Sequence, residues 1–221
     1  MSNSALQRKN MVESQVRPSD VTDRRITTAM QDVAREKFVP PALASLAYMD
    51  DPLAVAPGRS LMAPRTFARL LQLADVQQTD KVLIVGALSG YSAVVMAAMA
   101  RDIVALDADA GFAAAAKTAL SERSVTNVTL ATGALESGWA ANAPYDVIFV
   151  EGGLERVPDA LTAQLAATGR MVGIENSGGV GRAVVLQKTG ATGAETLSRR
   201  VAFEASAACL PGFERAKAFA F

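Results

Sequence analysis

From Lys81 to Ala100 the chain reads KVLIVGALSGYSAVVMAAMA, and no residue between Lys81 and Arg101 carries a charge. No other window of the sequence is as restrictive. Two folds can bury such a run. One is a membrane helix with Gly86-Ala-Leu-Ser-Gly90 as its small-residue contact face. The other is a buried strand, a tight glycine turn and a helix, the arrangement that opens a nucleotide site. The flanking sequence decides between them. VLIVG is a short β-branched run closed by Gly86, and YSAVVMAAMA reads as a helix. Strands are then predicted at IVALD (103–107), NVTLATG (127–133) and DVIFVEGG (146–153), with helical GFAAAAKTALSER after the first. PDALTAQLAAT reads as a further helix and GRMVGIEN as a fifth strand. AVVLQKT and RRVAFEAS form a closing strand pair around a Gly/Ala/Thr-rich turn. This alternation predicts a doubly wound, mostly parallel α/β sheet with an antiparallel edge. A buried parallel strand is apolar throughout. The charge-free window therefore needs no membrane, and no membrane partner is expected.

Upstream, SDVTDRRITTAMQDVAREKFVPP is predicted as a helix capped by Ser19 or Asp20 and ended by Pro40 and Pro41. A loop with Pro52, Pro57 and Gly58 follows. PRTFARLLQLADV then reads as a helix with Pro64 in its first turn. Residues 1–80 are thus expected to be an N-terminal helical extension and substrate-side segment. They would pack on a core domain of residues 81–221, as one compact unit.

Composition removes several kinds of chemistry. The 221 residues hold 22 basic and 22 acidic side chains, with no block of like charge, so no nucleic-acid partner is expected. There is no histidine and one cysteine. Histidine triads, histidine acid–base catalysis and disulfide staples are excluded, and no zinc or other metal is expected. Cys209, in AACLPG, reads as a small buried hydrophobe. The N-terminus lacks the apolar core of a secretory signal, so a cytoplasmic location is expected.

A strand, a glycine turn and a helix present backbone N–H groups and a helix N-terminus to a ligand. Asp107 ends the second strand about twenty residues past Gly86, the spacing of an acid that binds a ribose. These two features alone leave two readings open. One is an adenosine-type cofactor site, and the other is a turn glycine beside a surface aspartate.

A longer series of segments narrows the choice. MVESQV, AREKFVPP (34–41), AYMDDPL (47–53), GRSLMAP (58–64), KVLIVGALSGYSA, GALESGWAANAPYDVIFVEGG (133–153), VPDALTAQL and GRMV occur in one order. In that order the chain resembles the protein-L-isoaspartate O-methyltransferase family from about Met11 to about Val201. The resemblance implies a seven-stranded Rossmann-like methyltransferase sheet and S-adenosylmethionine as cofactor. It also implies methylation of the α-carboxyl of isoaspartyl residues in damaged proteins, which would be the partners. It assigns Gly86, Leu88, Ser89, Gly90, Asp107, Ala134 and Leu135 to the cofactor, and Met62, Pro64 and Arg65 to the substrate side.

Several of these positions depart from the family's pattern. Its SxP serine is Met62, the acid of its VLEIG is Ile84, and its middle turn glycine is Leu88, expected to intrude on the cofactor. The aspartate of its GDG is Ala134, and Glu151-Gly152-Gly153 stand where it has small uncharged residues. Asp107 is retained. Ser60, two residues before Met62 on extended chain, would face the same way and offer a substitute hydroxyl. Glu136 offers a substitute for the lost adenine contact, and Arg65 a bidentate partner for a carboxylate. Tyr91 and Trp139 are expected to pack beside the site. The departures keep two other functions in view. One is a catalytically degenerate binding or scaffold module, and the other a methyltransferase with a different substrate.

Overall fold

The computed structural model describes residues 3–177, 179–190 and 196–215. Its centre is a seven-stranded sheet. In chain order the strands are β3 (Lys81–Val85), β4 (Asp102–Asp107), β5 (Val128–Thr132), β6 (Tyr145–Leu154), β7 (Leu165–Ser177), β8 (Val180–Thr189) and β9 (Thr196–Glu204). Across the sheet the order is β5-β4-β3-β6-β7-β8-β9. The first five of these pair in parallel, and β8 and β9 add an antiparallel edge. The Gly/Ala/Thr-rich turn expected before β9 falls at 190–195, of which 191–195 lie outside the described residues.

Alternation along the strands builds two cores. Val82, Ile84, Ile103, Ala105, Val147 and Phe149 belong to the larger cluster. Their neighbours Leu83, Val85, Val104, Leu106, Ile148 and Val150 belong to the other. The period of two puts the clusters on opposite faces of the sheet. Helices α2 (Arg24–Asp32), α3 (Pro64–Ala74) and α4 (Tyr91–Ala97) bring Met30, Phe67 and Val94 to the larger cluster. The second face has a thinner cover. Leu135, Leu161 in the short helix α6 (Asp159–Thr162), and Leu210 and Phe213 after the last strand close it.

The N-terminal part differs from its sequence reading. Helix α1 (Asn3–Met11) was not expected, because NSALQRKNM has no clear apolar face. Tertiary contacts hold it: Met11 is 1% exposed, and Arg8 Nε donates to the Gln31 carbonyl at 2.5 Å. Helix α2 starts later than predicted, at the N-cap Asp23, whose carboxylate accepts from the Arg25 amide. It ends at Asp32, and Arg35–Phe38 form a separate 3-10 turn. The proline-rich loop is a two-stranded hairpin, β1 (Leu53–Ala56) with β2 (Arg59–Leu61), and Pro57 and Gly58 are its turn. Helix α6 is shorter than predicted because Leu165 leaves it to pair with Tyr145 in the sheet.

Helix α5 (Ala110–Glu122) returns from β4 to β5, and Asp109 caps it by accepting from the Gly111 and Phe112 amides. The chain leaves β3 toward β4 on one side and leaves β6 toward β7 on the other. The crevice between the ends of β3 and β6 is the topological switch point, where open α/β sheets bind ligands.

Candidate cofactor and substrate site

The turn after β3 has the geometry that a close-approach loop requires. Gly86 and Gly90 sit at φ +85° and +87°. Leu88, between them, holds φ 49°, a left-handed value that branched or bulky residues rarely adopt. Its side chain is 2% exposed within the larger core cluster, so it is packed away and does not intrude on a cleft as expected. Ser89 Oγ donates to the Phe38 carbonyl and ties the turn to the N-terminal part. Ile84, at the family's acid position, is fully buried in the same cluster.

Asp107 closes the other wall, and it is fully engaged. Arg59 donates to both of its oxygens, Nη1 to Oδ1 at 3.0 Å and Nη2 to Oδ2 at 2.7 Å. The Leu88 amide donates to Oδ2 at 2.7 Å and the Asp109 amide to Oδ1 at 3.1 Å. A carboxylate offers about four lone-pair sites, and four donors occupy them. Both side chains of the ion pair are buried, 8% and 3% exposed. Arg59 also faces the Phe112 ring, 5.7 Å from its centroid.

The switch point itself holds Leu210. A Cβ built on Gly86 would meet Leu210 Cδ1 at 3.2 Å and Arg59 Nη2 at 3.4 Å. One built on Gly152 would run into Leu210 Cγ. Backbone bonds seat this segment. The Gly153 amide donates to the Ala208 carbonyl at 2.7 Å, and the Leu210 amide to the Gly153 carbonyl at 2.8 Å. Glu136 lies against Gly212 of the same segment. Ala134 is exposed, and Leu135 is buried in the second cluster.

Met62 and Ser60 do share a face. With Glu151, Gly152 and Leu210 they line a cavity of about 20 Å³, room for roughly one water. Above it, Arg35 is 1% exposed, donates Nε to the Ala47 carbonyl at 2.7 Å, and donates Nη2 to the Met62 carbonyl. Its guanidinium also lies 4.9 Å from the centroid of the Tyr91 ring. Tyr91 packs on Phe38 and Phe67, as expected of a packing residue. Trp139 packs against Gly133, and its amide donates to Gln164 Oε1 at 2.8 Å. Glu151 is 2% exposed, and Ser92 Oγ donates to its Oε2 at 2.5 Å. Its Oε1 has no partner among the described residues. Burial pushes its carboxyl up to about 8, against smaller lowering effects of Ser92 and Arg35. Pro64 opens α3, and Arg65 lies exposed beside Asp50 at 3.2 Å, where it forms an ion pair outside the cavity. Cys209 is half-buried rather than fully buried.

Sequence reasoning missed Arg59, Leu210, Arg35 and Ser92. Only two had a visible signal: Arg59 is a lone cation next to Ser60, and Leu210 precedes the turn pair Pro211-Gly212.

A seven-stranded sheet with a glycine turn at its switch point, an acid on the adjacent strand and a helical N-terminal extension defines a methyltransferase-type protein. Two solved structures share the fold. One, a protein-L-isoaspartate O-methyltransferase, superposes with a TM-score of 0.78 at 22% identity, over 93% of this chain and 66% of that longer one. The other is described as a protein-L-isoaspartate O-methyltransferase from Plasmodium falciparum in complex with S-adenosyl-L-homocysteine. It superposes at 0.75 with 18% identity, over 92% and 97%. The sequence is more specific. The family model for protein-L-isoaspartate(D-aspartate) O-methyltransferase matches residues 6–203, and the chain belongs to that family. A relative from Protochlamydia amoebophila with that name is 38% identical over 162 residues, 73% of this chain and 77% of its own. Another from Koribacter versatilis is 38% identical over 168 residues, 76% of each.

The family is S-adenosylmethionine-dependent. In this structure the cleft does not fit that cofactor. Small-molecule sites span roughly 300–1,000 Å³, whereas the cavity beside Gly152 at the end of β6 is about 20 Å³ and touches neither Gly86 nor Asp107. Asp107 has no acceptor left for a ribose, and Leu210 covers the glycine cradle. A larger groove of about 420 Å³ lies between Lys37–Pro41 and α5. It touches Ser89 but neither Gly86 nor Asp107.

Proposed function

We propose that the chain acts as a protein-L-isoaspartate O-methyltransferase, methylating the α-carboxyl of isoaspartyl residues in damaged proteins with S-adenosylmethionine. The observation that carries this reading is the convergence of the matched segments on one point. AREKFVPP supplies Arg35 to the Met62 carbonyl, and GRSLMAP supplies Ser60 and Met62 to the cavity. Glu151 and Gly152 at the end of β6, with Ser206, Ala207, Ala208 and Leu210 after the last strand, complete its walls. The chemistry suits a chain without histidine. A carboxyl group is already ionised near neutral pH, so no general base is required. The protein's task is alignment and a polar setting for the reacting carboxylate. Isoaspartyl proteins as partners and a cytoplasmic workplace belong to the same reading. Among the described residues no helix is long and apolar enough to cross a membrane.

One observation favours a second reading. The saturated Asp107 is what a non-catalytic member serving as a binding module would carry.

The test is methyl transfer from labelled S-adenosylmethionine to an isoaspartyl peptide, with the aspartyl isomer as control. The isoaspartyl peptide alone is expected to gain an alkali-labile methyl ester. Restoring a hydroxyl with Met62→Ser is expected to raise the rate about tenfold, the value of one hydrogen bond of roughly 1.4 kcal/mol. No binding of S-adenosylmethionine by the folded protein would leave the second reading standing, and binding without transfer to the peptide would point to a different substrate.

A further inference from the structure

We infer that Arg59 and Leu210 form an internal latch that occupies the S-adenosylmethionine cleft, and that cofactor binding requires both to withdraw. The inference rests on the methyltransferase reading of the site. Each latch residue takes a place that a ligand would need. Arg59 fills both oxygens of the one acid suited to a ribose, at 3.0 and 2.7 Å. Leu210 lies over Gly86 and Gly152, the two positions at the switch point where only the lack of a side chain permits close approach.

The latch and the cradle sit on different kinds of element. Asp107 pairs with Thr132 of β5, the Gly86 amide donates to the Leu106 carbonyl at 2.9 Å directly after β3, and Gly152 lies on β6, so all three sit on the seven-stranded sheet or at its end. Arg59 belongs to β2, a three-residue strand of a separate two-stranded hairpin with an irregular register between Ala54 and Ala56. Leu210 follows the last strand; its segment is bonded to the sheet by the one-residue bridge of Gly153 with Cys209, its flanking bonds and Asn176 Nδ2 donating to the Ala207 carbonyl at 2.9 Å, and its side chain packs in the second core cluster. Phe213, fully buried and accepting from the Glu155 and Arg156 amides at 3.0 and 3.2 Å, anchors the far side of the segment. The occupants therefore can shift while the cradle stays.

The departures at the site are consistent with the latch. Leu88 stands in place of a glycine without blocking the cleft, because its side chain packs inward into the larger core cluster. With Gly212 against Glu136, the adenine side is covered by the chain's own segment.

The test uses the full chain with S-adenosylhomocysteine as probe, in calorimetry and in amide hydrogen exchange. Four proteins are compared: wild type, Arg59→Gln, Leu210→Ala and the double variant, each checked for native circular dichroism. Wild type is expected to bind at least 10-fold more weakly than either single variant, and the double variant to bind tightest. In wild type at saturating probe, the amides of Gly153 and Leu210 are expected to exchange at least 10-fold faster. Equal affinities across all four proteins, with unchanged exchange, would overturn the latch and leave the methyltransferase reading intact. If no folded protein of the four binds the probe, the methyltransferase reading fails and the latch fails with it. Should one variant not fold, the other single variant and the wild-type exchange experiment still decide.

Discussion

Asp107→Ala is expected to lower the stability of the folded protein by about 3–5 kcal/mol, the cost of breaking a buried ion pair from one side. The substitution removes the carboxylate and leaves the Arg59 guanidinium inside, with its side chain 8% exposed. It also strands the Leu88 and Asp109 amides, which lose their acceptor. Urea unfolding reads this as a fall in midpoint at unchanged slope. The double variant Arg59→Leu with Asp107→Leu separates pair from parts. Replacing a buried pair by apolar residues is often close to neutral, so the double variant is expected to recover the share due to the unpaired guanidinium, while the Leu88 and Asp109 amides stay without their acceptor. A single variant within about 0.5 kcal/mol of wild type would mean that Arg59 does not hold Asp107 in solution.

The second large effect is on pH. Glu151 has an ordinary carboxyl value of 4.5 when unfolded and is pushed up to about 8 by burial in the fold. Below pH 4.5 the group is protonated in both states and costs nothing. Between 4.5 and about 8 the unfolded chain releases the proton and the folded chain keeps it, so stability falls as pH rises. Above about 8 the penalty is complete, on the order of 5 kcal/mol for a shift of that size. Glu151→Gln keeps the shape and cannot ionise. Its melting temperature is expected to be much flatter than that of wild type between pH 5 and pH 9, with the two curves closest at the acid end. Parallel curves would show that Glu151 ionises normally in the folded state.

Local patterns carried the sheet and its turn. The β-branched run ending at Gly86, the acid ending β4 and the charge-free helix after the turn each obey a short period, and all stand where the sequence puts them. The ordered series of segments carried the family. The seal over the site was not legible for a physical reason. Arg59 is 48 residues from Asp107, and Leu210 is farther still from Gly86. No local period encodes such a contact. The hairpin of β1 and β2 reads as a loop in the sequence because strands of four and three residues on either side of a Pro-Gly turn leave too few positions to display alternation. Helix α1 shows the same limit from the opposite side. Its polar sequence gives no face, and the structure supplies one through Met11 and Arg8.

Strand β9 forms the outer edge of the sheet, and most of its residues are exposed. Leu197 and Val201 lie open to solvent at 43% and 45%, which by itself invites another strand. Between them stand Arg199, paired with Glu175 at 2.5 Å, and Arg200. A second molecule adding itself at this edge would have to desolvate two adjacent guanidinium groups and set them beside its own. The consequence is colloidal. These arginines guard the protein against edge-to-edge aggregation, and their replacement by valine would raise its tendency to precipitate before it changed the fold.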